Sequence, residues 1–494
     1  DPGVDGWFVE EPDWQPERNR SWESRFSLAN GTLGVRGYPE EPFAAGPSRQ
    51  GVYVAGVFDP DPDGVPELVN CPDILQVDIR LHGESLTLAP GRVREYSRVL
   101  DMHRGLLRRC FVYENGTGRT RLTFERFVSI VDPHLIGQSI TVLPLNWSGR
   151  IDLWLWTDAD VANESGPHLR FLHADHLGRD RLLMATETLQ SRVRIGHACC
   201  CRAWVRQSSP PTPRFAGSGA RLGFQYSPWL ECNQRARFDR LVATYSSRDP
   251  ETVSVERSCL RNLRGLNAGT YQTRKRNHVR GWKRRWNRAD IRIDGPEHDL
   301  RRLRFNLFHL MQSCPQRDDT VSIAAKGLSG EGYKGHVFWD TEVFMLPFFA
   351  ASDPAAARRL LRYRYNLLDG AGEKARAQGY RGAMFPWESA GTGRETTPKT
   401  VPDPRTGETV RVWTGEIEQH ISADVVYGMV HYVRQTADRA FQNRELAATA
   451  IETARFWADR VRYNAEKNGY EIRDVIGPDE YHEHVDNNAY TNYL

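Results

Sequence analysis

Strand-length runs between turn residues, several of them alternating apolar and polar, mark roughly the first 260 positions, whereas the later chain spaces its apolar residues three and four apart. Leu75–Leu81 alternates, and so does Arg119–Ile130. Ile151–Trp156 and Leu241–Tyr245 are further strand-length runs between turn residues. Many short strands separated by turns predict a β-sandwich. Near residue 265 the character changes. Residues 274–288 carry eight Lys or Arg, with Trp282 and Trp286 four apart and so on one face of a helix. This reads as a solvated linker helix whose two indoles dock onto a domain. Beyond about 295, Leu300–Met311 has helical spacing, and Ala355–Leu368, Ser422–Gln435 and Arg444–Tyr463 read as helices too. Asn487–Leu494 reads as the start of another helix. The expected domains are a sandwich over 1–265, a helical linker over 266–298 and an all-α region over 299–494.

Composition narrows the function classes. The 66 basic and 63 acidic residues among 494 nearly cancel, so no nucleic-acid or membrane partner is expected. No apolar run reaches the ~20 residues that span a bilayer. The first residues do not read as a signal peptide, and a cytoplasmic location is expected. Eight cysteines occur without a CxxC pair, so neither a zinc site nor a disulfide scaffold is expected. The 14 Trp and 18 Tyr suit either a large aromatic core or a protein that stacks sugars on rings.

Four loop segments concentrate glycine, aromatic and acidic residues. In Gly330–Glu342, Trp339 could stack on a sugar and Asp340 accept from two hydroxyls, or Asp340 and Thr341 could cap a helix. In Tyr380–Ser389, Pro386 restricts Phe385 and so directs Trp387 and Glu388. Val412–His420 places several acceptors and an imidazole together, fit for a polyol or for capping the next helix. In Ile476–Asn488, Gly477-Pro478 makes a rigid turn that presents Asp479 and Glu480. Among crowded carboxylates one holds its proton more firmly, as a general acid must. The rival chemistry is a metal site of Glu480, His482, Glu483, His484 and Asp486, but the spacing is neither HExxH nor EF-hand.

In this order, the four segments resemble family 65 of the glycoside hydrolases, the inverting disaccharide phosphorylases with a few hydrolases. Asn30–Gly37 is similar to the family's opening motif, and Phe338–Glu342 and Gly477–His482 to its barrel motifs. The resemblance implies an N-terminal β-sandwich, a helical linker, an (α/α)6 barrel and a small C-terminal β-domain. The chain is then expected to hold only the first part of that barrel. By the same resemblance Glu480 is the catalytic acid and Trp339 and Asp340 hold the glucosyl unit. Trp387, Glu388, Thr414 and Glu416 lie in loops that shape the sugar sites. Within the family these loops look most like those of the members acting on kojibiose, with maltose, nigerose or trehalose as alternatives. The implied reaction is phosphorolysis of an α-linked glucose disaccharide to β-glucose 1-phosphate, with phosphate as co-substrate. No metal or cofactor and a homodimeric state are implied. The alternatives are an inverting α-glucosidase, which needs a second carboxylate as base, and a non-catalytic sugar-binding form.

Overall fold

The computed structural model describes residues 6–250, 252–265, 270–403 and 405–494. By their contacts they form two units: residues 6–59, 69–313 and 328–331, and residues 60–68, 314–327 and 332–494. The first unit is β-rich and the second largely helical.

The first unit is built on a nine-stranded antiparallel sheet. Its central strands are Leu106–Asn115, Gly118–Val128, Leu135–Pro144, Ala236–Ser246 and Arg194–Val205, adjacent in that order. A six-stranded sheet holding Val77–Leu81, Gly149–Asp158 and Arg221–Tyr226 faces it. Contacts between the two include Arg240 Nη1 donating to Trp156 O at 2.5 Å and the Tyr226 and Phe238 rings 5.5 Å apart. The large sheet's other face carries the helices Val255–Asn262 and Thr270–Ala289, which close a core of Phe127, Leu183, Ala198, Leu241, Cys259 and Tyr271. Strands covered on both faces lose their polar alternation. Gly149–Asp158, by contrast, alternates strictly between buried and more open positions.

Trp282 and Trp286 are 1% and 2% exposed. Trp286 Nε1 donates to Met102 O at 2.8 Å, and Trp282 stacks on Phe308 at 4.6 Å. Gly105, at φ +66°, lies under Trp282, whose Nε1 a Cβ there would meet at 2.0 Å. Residues 266–269, where the linker was expected to begin, lie outside the described residues. The following helix, Glu297–Ser313, makes its contacts within the first unit.

In the second unit, Leu346–Ser352, Pro354–Asn366 and Ile421–Thr436 pack on one another through buried Leu346, Phe349, Leu360, Leu361, Val425 and Met429. The helix expected over Arg444–Tyr463 ends at Arg460. Val461 turns extended, and Tyr463 instead sits in a short strand, Arg462–Asn464, paired with Gly469–Glu471. The Tyr463 and Tyr470 rings pack across that hairpin at 5.4 Å, which rewards strand over helix. Among the described residues no helix is long and apolar enough to cross a membrane.

Candidate active site

Hydrogen bonds between backbones join the four loop segments of the second unit in two pairs. Val337 and Ser389 exchange N–H···O bonds at 2.8 and 3.0 Å, tying the Trp339 segment to the Glu388 segment. Ile476 N donates to Ile417 O at 3.1 Å, tying the Glu480 segment to the Thr414–His420 segment. Val475 and Val485 exchange bonds at 3.0 and 2.9 Å and close the loop that carries Glu480. Trp387 N and Glu388 N both donate to the Glu395 carboxylate, at 3.0 and 3.1 Å. Burial would raise the Glu395 pKa, but the Lys374 ammonium beside it brings it below the usual range.

Asp340 caps nothing. It precedes a π-helical turn, Thr341–Met345, without a side-chain capping bond. Two residues on, Glu342 is locked by Arg364, whose Nε and Nη2 donate to its two oxygens at 2.9 Å each. Nη2 also donates to Phe338 O at 3.0 Å, so one guanidinium fixes the chain on either side of Trp339-Asp340. Burial alone would lower the Arg364 pKa; the Glu342 carboxylate more than reverses that.

Two indoles meet around one imidazole. Trp339 stands edge-on to His420 at 4.9 Å, and Trp387 does so at 6.4 Å. Glu388 is buried and joined to His336 Nδ1 at 2.6 Å, while His336 Nε2 donates to Pro66 O at 2.6 Å. The carboxylates of Asp340 and Glu480 are exposed, and no hydrogen bond reaches either among the described residues. Partial desolvation raises the Glu480 pKa above the ordinary carboxylate value. The charges of Asp340 and Glu388 raise it further, and His420 opposes them. A solvent-open carboxyl whose proton affinity is raised can protonate a leaving oxygen.

Beneath lies a buried polar cluster that sequence reasoning only half saw. His420 Nδ1 meets Asp424 Oδ2 at 2.6 Å and Nε2 meets Glu418 Oε1 at 3.0 Å, with all three side chains fully buried. Tyr490 donates to Asp424 Oδ1 at 2.8 Å. Burial raises the Glu418 pKa to about 7, against the pull of His420. Burial opposes a proton on His420, yet hydrogen bonds to Asp424 and Glu418 outweigh it and hold its pKa at about 9. The dense acceptors around His420 were visible in the sequence. Asp424 was legible only as the i+4 neighbour on the helix that follows, and nothing in the sequence pointed to Tyr490, 66 residues away from Asp424.

Of the remaining candidates, Thr414 meets this cluster through its backbone, its O accepting from Glu418 N at 3.0 Å, whereas Glu416 lines a separate cleft. Thr414 is buried, and its hydroxyl finds no partner among the described residues. Glu416 is forked by Arg411 at 3.0 Å, and Arg411 stacks on Trp413 at 3.8 Å. Glu416 lines a cleft of about 860 Å³ with Lys374, Glu395 and Arg460, to which neither indole nor Glu480 contributes. The side chains of the rival metal reading diverge: His482 pairs with Asp479, and His484 with Asp474. Among the described residues no group of three His, Cys, Asp or Glu is arranged to hold a metal ion.

Known proteins match along the chain. Residues 9–285 match the N-terminal domain of glycosyl hydrolase family 65, and residues 304–494 match that family's central catalytic domain. The chain is 40% identical to the kojibiose phosphorylase of Halothermothrix orenii, over 99% of this chain and 64% of that one. It is 39% identical to the kojibiose phosphorylase of Thermoanaerobacter brockii, with the same coverage. It thus spans about 64% of the length of these curated relatives. A solved structure described as "Putative kojibiose phosphorylase from human microbiome" shares the fold at a TM-score of 0.87. The two are 23% identical over 99% of this chain and 64% of the solved one. With both family domains matched in order across most of its length, this chain belongs to glycoside hydrolase family 65.

Proposed function

We propose that this chain carries the acid half of an inverting phosphorylase acting on an α-linked glucose disaccharide, with kojibiose as first substrate. The observation that carries the reading is the raised proton affinity of Glu480 among the carboxylates of Asp340 and Glu388. Two relatives bearing the name kojibiose phosphorylase, at 39% and 40% identity, favour kojibiose over other α-glucobioses. In this reading Trp339 and Asp340 hold the glucosyl unit. Trp387 and Glu388 border it, and Thr414 and Glu416 shape the loops around the acceptor. Glu480 protonates the leaving oxygen as the anomeric carbon gains positive charge. Phosphate attacks the opposite face, and β-glucose 1-phosphate leaves with inverted configuration. Phosphate is already an anion, so the step needs no general base.

The same reading takes the helical unit as built on the (α/α)6 barrel plan and the active protein as a homodimer with no metal or organic cofactor. Light scattering tests the oligomeric state. The activity test is incubation of the full-length protein with kojibiose and phosphate, following glucose 1-phosphate and its anomeric configuration by NMR. Phosphate-dependent β-glucose 1-phosphate is the expected product. Its absence with every α-glucobiose overturns the proposal, and phosphate-indifferent release of glucose replaces it with an inverting α-glucosidase.

A further inference from the structure

The buried cluster of Glu418, His420, Asp424 and Tyr490 touches no substrate in the reading above, yet it holds three fully buried ionisable side chains in direct contact. Charged groups withdrawn from water are costly, and cores gain nothing from them that apolar residues could not supply. We propose that His420, held between Glu418 and Asp424, is a positioning residue: it sets the Trp339 ring edge-on and places a fixed positive charge beside the Glu480 loop.

Three observations support it. First, both ring nitrogens face carboxylates, at 2.6 and 3.0 Å, and only the imidazolium has a donor for each. Second, the ring's edges and faces are taken up by Trp339, Trp387 and Tyr490, with centroids at 4.9, 6.4 and 5.1 Å. A tilt of the imidazole therefore tilts the indoles. Third, Ile417 O, one residue before Glu418, accepts from Ile476 N at the root of the Glu480 loop, so the cation and the acid share a backbone link. The groups that face Glu480 electrostatically are Asp340 and Glu388, which favour its proton, and His420, which opposes it. Glu418 feels Glu480 and Asp424 as well as His420. Asp424 in turn bonds Tyr490 and acts on Glu342 and Arg364. With two carboxylates pushing the proton on and one cation pushing it off, His420 keeps the acid from holding its proton too firmly to give it up.

This inference rests on the phosphorylase reading, and its test separates the two. The full-length protein is compared with His420→Gln, which removes the charge but keeps a donor. The alkaline limb of kcat/KM is expected to move up by about half a pH unit, because losing the cation favours protonated Glu480. KM for kojibiose is expected to rise several-fold as the indoles loosen. Asp424→Asn is the second variant, for use if His420→Gln does not fold; His420 then loses its stronger partner and the limb moves the same way. Tyr490→Phe removes only the hydroxyl and leaves the limb where it is, which a merely structural cluster would not distinguish from the charge changes. An unmoved limb in both charge variants overturns the inference while wild-type phosphorolysis leaves the function standing. If the wild type makes no glucose 1-phosphate, the function falls, and the cluster is judged on glucose affinity by tryptophan fluorescence. An affinity unchanged in Asp424→Asn then overturns it.

Discussion

Replacing Arg364 by Met would strip the charge that holds Glu342 in the interior of the helical unit. Both side chains are 0–1% exposed, and two hydrogen bonds of 2.9 Å join them. Removing one partner of a buried pair leaves the other charge uncompensated, at a cost of about 3–5 kcal/mol. The lost bond to Phe338 O adds about 1 kcal/mol. Glu342 limits the damage by taking up a proton, so about 4 kcal/mol is a fair expectation. For a unit of this size each kcal/mol moves the midpoint by about 2–4 °C, so its melting transition should fall by about 10 °C. Calorimetry is the assay, because it resolves separate transitions of the two units where they occur. The loss should be smaller in the double variant Glu342→Leu/Arg364→Met, which buries no orphan charge. Freed from Arg364, Phe338 no longer anchors Trp339, and KM for the disaccharide should rise. A single-variant loss under about 1 kcal/mol, or a double variant no better than the single, refutes the assignment of this pair as the anchor of the Trp339 segment.

Four further outcomes are expected. Glu480→Gln should lower kcat/KM for phosphorolysis by roughly 10²–10⁴ with an unchanged melting curve, since its side chain makes no hydrogen bond among the described residues; near-normal turnover would remove Glu480 from the mechanism. Asp340→Asn should move the alkaline limb of kcat to lower pH, because the Asp340 charge raises the Glu480 pKa and the acid works protonated. The His420 pKa, raised to about 9, means its stabilising contribution is complete below about pH 6.5 and lost as pH climbs through about 9. Of order 3 kcal/mol is at stake, so the melting gap between wild type and His420→Gln should narrow from pH 6 to pH 10. Gly382→Ala should destabilise by more than about 2 kcal/mol in denaturant titrations, because Gly382 sits at φ +72° and a Cβ there would lie only 2.1 Å from Glu452 O.

Much of the fold was legible because single-faced elements advertise themselves. Arg119–Ile130 alternates and is the strand Gly118–Val128; Ser422–Gln435 has helical spacing and is the helix Ile421–Thr436. Arg194–Val205 escaped notice because seven consecutive residues are buried, so helix and strand periods look alike there. Val93–Asp101 and Leu106–Asn115 were hidden by buried arginines. Arg109, for example, reads as a surface residue until Glu40 and Glu41 are seen forking it. At the site, the motif residues stood out by composition, since glycine, tryptophan and acids rarely crowd without cause. The supporting residues did not. Arg364 sits in an ordinary amphipathic helix and His336 among glycines, and their partners Glu342 and Glu388 lie 22 and 52 residues away in sequence. Spacing along one chain cannot reveal a hydrogen bond that only folding creates.

The double bond between Val475 and Val485 has a consequence for how such a site can diversify. It turns the intervening residues into a closed loop with a pinned stem, and Gly477 in that stem lies against the Asn488 side chain, where a Cβ would come within 2.2 Å. Tyr481 at the tip is 97% exposed. Change is therefore cheap at the tip and expensive at the root. A lineage could exchange Tyr481 freely, while the stem continued to hold the loop that carries Glu480 in the same place.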